Sequence, residues 1–343
     1  MPNFTDAILQ ATTQLMEQDG RIHVLGLGAS YDNGLDGTAN GLAKRFPGRV
    51  WDTPCSEAAI TNMAVGMSAT GLRPIAHHGR IEFSLLALDA ILTQAANWSF
   101  MFGGNYPCPL TVRVCIGRQW GNGPQHTRVS RALFAVPGLR VVVPSTPEMA
   151  SGLLLSAVRD NNPVIYLEHR WLYKLQGTVS GEPIPLDKAR VMRTGKDITI
   201  VAIGDMVLEA LLAAQLLAKC GVSAEVVDIV SAFPVDYDTV IGSASKTKHV
   251  LIVDSGNLEY GVAAGIWGPI AQMCIGAIMT TKPYPCPTAT NLTGAYYPTA
   301  ANIVDHAASI LDLDSLLHAS RILLPERTFD ELHLPPKIDV DRL

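Results

Sequence analysis

The chain has 343 residues, of which 48% are hydrophobic and 17% are charged, and its formal net charge is -5. This length exceeds one typical core, so we expect two domains, and the mild acidity without a basic stripe argues against a nucleic-acid partner. No charge-free apolar run reaches the length of a membrane span, and the N-terminus lacks a signal-peptide pattern. The six cysteines form no C-x-x-C pair, so we expect reduced thiols in a cytoplasmic protein.

The first half of the chain alternates strand-like and helix-like segments. Short apolar runs are followed by longer runs with helical spacing, which is typical of an α/β domain with a mostly parallel sheet. The predicted strands are 21–28, 73–78, 110–117, 139–145 and 163–168, and the predicted helices are 37–46, 57–70, 84–101 and 147–160.

A segment rich in Gly, Pro and charge separates this half from a second α/β unit. We therefore place the first domain at 1–178, a linker at 179–195 and the second domain at 196–343. The predicted strands of the second domain are 197–204, 223–230 and 249–255, and its predicted helices are 206–221 and 261–274.

One acid interrupts a long run of small and apolar residues at 52–74, "DTPCSEAAITNMAVGMSATGLRP". Glu57 is the only charged residue between Asp52 and Arg73. In one interpretation, Ser56 caps a helix and Glu57 interacts with the positive end of that helix. In the other, a carboxyl in apolar surroundings shares a proton with a ligand nitrogen.

Three further features carry weaker signals. The turn "GLGAS" (26–30) lacks the last glycine of a dinucleotide-binding loop, because Tyr31 occupies that place, so we interpret it as a strand-to-helix turn. His126 lies in a glycine-rich loop after a strand, where α/β proteins keep their sites, although a lone loop histidine is more often a surface residue. His77 and His78 are adjacent in a strand and point to opposite faces, which argues against a zinc site.

Several motifs together resemble a known family. "DTPCSEAAITNMAVGMSATGLRP", "FSLLALDAI", "QHTR" and "PGLRVVVPSTPEMASGLLLSAVRDNNPVIYLE" are similar to stretches of the β subunit of the E1 component of 2-oxo acid dehydrogenases. These are transketolase-like enzymes that use thiamine diphosphate. The resemblance covers nearly the whole chain. It implies two three-layer α/β domains with mostly parallel sheets, a pyrimidine-binding domain followed by a transketolase C-terminal domain.

The resemblance also implies roles for individual residues. Glu57 occupies the position of the glutamate that hydrogen-bonds the pyrimidine nitrogen N1′ of the cofactor. Phe83 would stack on the pyrimidine, and Ser56 and Ala29 would add cofactor contacts. His126 matches a histidine near the thiazolium, where it would transfer a proton or orient the acyl acceptor.

The turn "SAVRDNNP" (156–163) resembles the monovalent-cation loop of the same family. The resemblance implies a structural potassium ion. Its candidate ligands are the backbone carbonyl oxygens of Leu110, Ala157, Asp160 and Asn162.

The diphosphate half of the cofactor site is not apparent in the sequence. No G-D-G stretch is present, so the resemblance implies that Mg²⁺ and the diphosphate are bound mainly by a separate α-type E1 subunit. The expected assembly is an α2β2 heterotetramer, and the chain alone is expected to be inactive. A lipoyl carrier or an E2 protein is a further expected partner.

The chain departs from the family where the donor and acceptor would lie. The stretch "HHGRIE" (77–82) replaces an aromatic and Thr-rich segment, and we predict that His77, His78, Arg80 and Arg118 contact the substrate. The main hypothesis is an E1-like β subunit, which forms a two-carbon or acyl carbanion adduct and transfers the unit to an acceptor such as a lipoyl carrier. One alternative is a split transketolase-like subunit that transfers a glycolaldehyde unit from a ketose or ketose phosphate. Another is a non-catalytic scaffold subunit.

Overall fold

The computed structural model describes residues 1–117, 131–287, 289–313 and 339–342. The chain divides into two compact units. The first comprises Met1–Gly117 and Leu133–Leu186, and the second begins at Asp187. No helix within the described ranges is long and apolar enough to cross a bilayer.

The first unit is built on parallel strands. They lie side by side in the order β5, β6, β4, β3, β1, β2, and every neighbouring pair is parallel. All six residues of β4 and all six of β6 are buried, as expected for central strands covered on both faces. The strands are β1 (Ile22–Gly26), β2 (Val50–Asp52), β3 (Arg73–His78), β4 (Thr111–Ile116), β5 (Arg140–Val142) and β6 (Val164–His169).

Helices connect these strands, as parallel pairing requires. The first and last of them, α1 and α6, pack against each other. The helices are α1 (Phe4–Gln18), α2 (Leu42–Arg45), α3 (Glu57–Ala69), α4 (Ile81–Ser84), α5 (Ala96–Met101) and α6 (Pro147–Arg159). A 3₁₀ turn at Leu85–Ala87 and a π-helical segment at Asp89–Ala95 lie between α4 and α5.

The second unit contains a five-stranded sheet in the order β12, β11, β8, β9, β7, in which only the edge pair of β7 with β9 is antiparallel. Its core lies between this sheet and the helices α7 and α11. The elements are β7 (Arg190–Arg193), β8 (Ile198–Ala202), α7 (Met206–Lys219), β9 (Ala224–Asp228), β10 (Ser231–Phe233), α8 (Tyr237–Thr247), β11 (His249–Val253), α9 (Val262–Ile270), β12 (Ile275–Met279), α10 (Thr290–Thr293) and α11 (Ala300–Ile310).

The structure confirms the predicted α/β architecture with mostly parallel sheets and corrects two segments. The helix predicted at 37–46 is reduced to α2, because Gly37 and Gly41 adopt φ angles of +90° and +74° that no α-helix contains. The single helix predicted at 84–101 is a continuous helical run in which the hydrogen-bond pattern changes from 3₁₀ to π to α. Each change of helix type alters the number of residues per turn and so the direction in which the following side chains point.

Candidate functional site

The site begins where α3 begins. Ser56 has an extended backbone, and its side-chain oxygen accepts a hydrogen bond from the Ala59 amide at 3.4 Å, which makes Ser56 the N-cap. Glu57 is the first residue of the helix and is only 6% exposed. A carboxylate here lies at the positive end of the helix dipole, which favours its charge by about 0.3–1 kcal/mol.

The Glu57 carboxylate lacks an internal partner. Among the residues that the structure describes, no group donates a hydrogen bond to it or forms an ion pair with it, although the Glu57 backbone carbonyl accepts one. Burial of an unpartnered carboxyl is costly, and one helix dipole offsets only part of that cost. The arrangement therefore fits a bound nitrogen heterocycle that can donate to, or share a proton with, this carboxyl.

Phe83 lies beyond the same edge of the sheet as Glu57. The chain leaves β2 at Asp52 and β3 at His78, and both strands run parallel to β1, which lies between them. The carboxyl ends of parallel strands form the usual ligand-binding edge of an α/β sheet. Phe83 follows β3 on helix α4 and is partly buried, and its stacking on a flat ligand stays a prediction.

A chain of buried hydrogen bonds joins these two elements. The Thr61 hydroxyl donates to the Glu57 carbonyl at 2.8 Å, and its oxygen lies 2.9 Å from His78 Nε2. His78 Nδ1 lies 2.7 Å from the hydroxyl of Ser84, the residue after Phe83. Burial lowers the pKa of His78 to about 3, with the neighbouring His77 acting in the same direction.

A second buried polar group is formed by side chains of β3, β4 and β6 and by Tyr173. The Arg113 guanidinium forms a salt bridge with the Glu168 carboxylate at 2.8 Å, and both side chains are at most 1% exposed. His77 Nε2 lies 3.3 Å from Glu168, and the Tyr173 hydroxyl donates to Glu168 at 3.0 Å. Burial alone would raise the pKa of Glu168, but the charge of Arg113 and the nearby His77 outweigh it and lower this pKa to about 2.

The turn after β1 contains the predicted cofactor contact Ala29. The Ala29 side chain is fully buried, and its amide donates to the Gly26 carbonyl at 3.1 Å. The preceding Gly28 has a φ of +76° and donates its amide proton to the Asp52 carboxylate. These bonds tie the turn to the end of β2, close in sequence to the start of α3, and the cofactor role of Ala29 stays a prediction.

The predicted substrate residues occupy different settings. His77 and His78 are buried, and their ring nitrogens face protein groups, as described above. Arg80 is partly buried and precedes α4 as its N-cap residue. Burial lowers the pKa of its guanidinium. Arg118 and the predicted catalytic residue His126 lie outside the described residues. The substrate and catalytic roles of these residues therefore stay predictions.

The predicted cation loop already contacts a positive charge. Arg73 Nη1 donates to the carbonyl oxygens of Val158 and Asp160 at 3.0 and 2.9 Å, and Arg73 Nη2 donates to the Asn161 side chain at 2.7 Å. The Leu110 carbonyl accepts the Val164 amide, and the Ala157 carbonyl accepts the Asp160 amide. The guanidinium disfavours a second cation at the Asp160 oxygen, and the potassium site stays a prediction.

Two buried arrangements were not predicted from the sequence, namely the Arg113–Glu168 pair and the Thr61–His78–Ser84 series of hydrogen bonds. The first had a visible signal, because Arg113 and Glu168 are single charges within the apolar strand runs "LTVRVCIG" and "PVIYLE". Buried charges must pair, so two such strands predict each other. The second had none, since Thr and Ser are common throughout the chain.

Comparisons with known proteins identify the family. The family model of the transketolase pyrimidine-binding domain matches residues 1–176, and that of the transketolase C-terminal domain matches residues 187–303. The β subunit of acetoin:2,6-dichlorophenolindophenol oxidoreductase from Cupriavidus necator is 39% identical over 87% of this chain and 94% of that protein. The mitochondrial pyruvate dehydrogenase E1 component subunit beta of Ascaris suum is 36% identical, over 90% of each chain.

A solved structure resembles the fold. The chain described as a split gene transketolase in an inactive β4 tetramer superposes with a TM-score of 0.77, covers 91% of this chain and 99% of its own, and is 22% identical. At that identity the likeness concerns the fold alone.

Proposed function

The chain belongs to the transketolase-like family that includes the E1 β subunits of pyruvate and acetoin dehydrogenases, and from that membership we propose that it is the β subunit of a two-chain thiamine diphosphate enzyme. The enzyme takes a short acyl unit from a 2-oxo acid or acetoin-like donor and passes it to an acceptor such as a lipoyl carrier. The observation that carries the proposal is the buried Glu57 carboxyl, which lacks a partner among the described residues and shares a sheet edge with Phe83.

The residues of this chain fit the pyrimidine end of the cofactor. Glu57 would hold or share a proton with the ring nitrogen N1′. Phe83 covers one face of the ring and helps to exclude solvent. His126 is the proposed proton-transfer residue near the reacting atoms. When bound, thiamine diphosphate would supply a carbon nucleophile for the chemistry at the donor carbonyl.

The remaining cofactor contacts are assigned to a partner. We propose that an α-type subunit binds Mg²⁺ and the diphosphate, and that the assembly is an α2β2 heterotetramer in the cytoplasm that can dock an E2 protein. Potassium is proposed as a structural ion at the predicted cation loop, where Arg73 contacts one of the four candidate carbonyl oxygens, that of Asp160. If potassium stabilises the fold, thermal unfolding will occur at a higher temperature in KCl than in choline chloride.

A glutamine substitution at Glu57 tests the proposal. Glu57→Gln keeps the shape but cannot hold the proton, so kcat with pyruvate or another 2-oxo acid should fall about 10²- to 10⁴-fold in the α–β complex. Release of CO2 is the readout. The matched control is Glu182→Gln, at an exposed acid of the same unit, which should leave kcat unchanged. Full activity of Glu57→Gln would contradict the proposed role.

The choice of donor separates this function from split transketolase chemistry. The motive for a hydroxylated donor is the polar stretch at 77–82. His77 and His78 face protein groups and Arg80 donates to the Gly79 carbonyl, so a donor contact by any of the three stays a prediction. Turnover of a ketose phosphate without CO2 would establish the transketolase alternative. A purified α–β complex that binds no thiamine diphosphate would favour a scaffold.

A further inference from the structure

We infer that His78 is a positioning residue: a neutral ring protonated on Nε2 that joins the helix carrying Glu57 to the helix carrying Phe83. This inference deepens the proposed function and rests on it. It assigns to His78 an indirect role, through Thr61 and Ser84, in place of the substrate contact that the sequence suggests.

The tautomer follows from counting protons along the chain of contacts. A carbonyl oxygen only accepts, so the single Thr61 hydroxyl proton points to the Glu57 carbonyl, 2.8 Å away. His78 Nε2, 2.9 Å from the same hydroxyl oxygen, must then be the donor. His78 Nδ1 carries no proton and accepts from the Ser84 hydroxyl at 2.7 Å.

The other protonation states satisfy fewer contacts. With the proton on Nδ1, the Thr61 hydroxyl would have to turn towards His78, and its 2.8 Å contact with the Glu57 carbonyl would join two acceptors. A doubly protonated ring would be a buried cation, and burial together with His77 disfavours it, consistent with a pKa of about 3. Thr61, His78 and Ser84 are fully buried, so water cannot replace any of these hydrogen-bond partners.

The contacts matter because α4 (Ile81–Ser84) is the first turn of the helical run that continues to Met101. The first turn of a helix has backbone amides without intrahelical partners, so contacts from outside the helix help to fix its position. The last residue of α4, Ser84, is bonded to a side chain of β3, a buried strand paired on both sides. The same side chain bonds the first turn of α3 through Thr61. His78 is therefore a rigid point from which the positions of both Glu57 and Phe83 are set.

Substitutions at His78 and Ser84 test the role in the α–β complex. His78→Phe keeps a buried ring and removes both bonds, so kcat should fall about ten- to a hundredfold and the Kd for thiamine diphosphate should rise, with the donor KM unchanged. Ser84→Ala and His78→Gln each remove one link and should have smaller effects of the same kind. Thr199→Val is the matched control, because it removes a buried hydroxyl pair, Thr199 with Thr247 at 2.8 Å, in the second unit.

The tautomer provides a readout that does not depend on turnover. In the full chain labelled with ¹⁵N-histidine, a long-range ¹H–¹⁵N correlation should show His78 protonated on Nε2 and unprotonated on Nδ1 throughout pH 5–8; the signal is identified by its loss in His78→Gln. A cationic ring or the Nδ1-protonated tautomer would overturn the inference. So would a His78→Phe complex whose cofactor affinity and kcat match those of Thr199→Val. If the wild-type complex binds no thiamine diphosphate while the tautomer is as stated, the proposed function fails and the positioning role fails with it.

Discussion

The Arg113–Glu168 pair is a buried charge pair that stabilises the first unit only while both partners are present. Glu168→Gln leaves the Arg113 charge uncompensated, so the free energy of unfolding should fall by about 3–5 kcal/mol in urea titrations. The exposed pair of Arg21 with Asp19 is the control, and Asp19→Asn should cost about 0–1 kcal/mol. Equal effects of the two substitutions would show that the buried pair is not formed.

His78 makes the fold sensitive to acid. Its pKa in the folded chain is about 3, below the ordinary value of 6.5, so the unfolded chain binds the extra proton. Stability from this group is complete above pH 6.5 and decreases as the pH falls towards 3, by about 1.4 kcal/mol for each unit. Between pH 7 and 5 the chain should lose about 2 kcal/mol more than His78→Gln does.

Urea titrations at pH 7 and pH 5 measure this difference. The interval avoids the titration of Glu168, whose pKa falls from 4.5 to about 2 and whose contribution is lost only below pH 4.5. Equal losses in the two proteins would mean that His78 is not buried in its neutral form.

The C-terminal end of the predicted linker packs closely against strand β9. A Cβ on Gly195 would lie 2.1 Å from the Glu225 backbone nitrogen on β9, and β7, at 190–193, pairs with that strand. Gly195→Ala must therefore shift the strand, and it should lower the free energy of unfolding by at least about 1–3 kcal/mol. Gly20→Ala, with nothing within 4 Å of its Cβ, is the control and should be nearly neutral. A neutral Gly195→Ala would show that the segment is a free linker.

The elements that sequence patterns predict well are those with a single strong signal. The short segment at 73–78, which follows the Gly71 that closes the preceding helix, gives β3 at those bounds, and the Ser56 cap followed by small residues gives the start of α3. The patterns do not give Val50–Asp52, which is partly exposed and only three residues long, or the changes of helix type at 85–95. Those features depend on neighbouring elements rather than on local spacing.

The sequence predicts some residues of the candidate site and not the contacts between them. Glu57 is marked by its isolation in an apolar run, and Phe83 by its motif. The Thr61–His78–Ser84 chain depends on contacts across 17 and 6 residues, which no local pattern specifies. His78 itself was singled out, but for a substrate contact, because a polar residue in an unusual stretch suggests a ligand when its protein partners are unknown.

For the assembled enzyme, we propose that this chain supplies the pyrimidine half of a cofactor site and that a partner subunit completes it. Calorimetric titration of thiamine diphosphate with Mg²⁺ into the chain alone, the α-type partner alone and the α–β complex tests it most directly. We predict tight binding at one cofactor per α–β pair in the complex only, and about a tenfold or greater loss of affinity in Glu57→Gln. Equally tight binding by either chain alone, or none by the complex, would contradict a shared site.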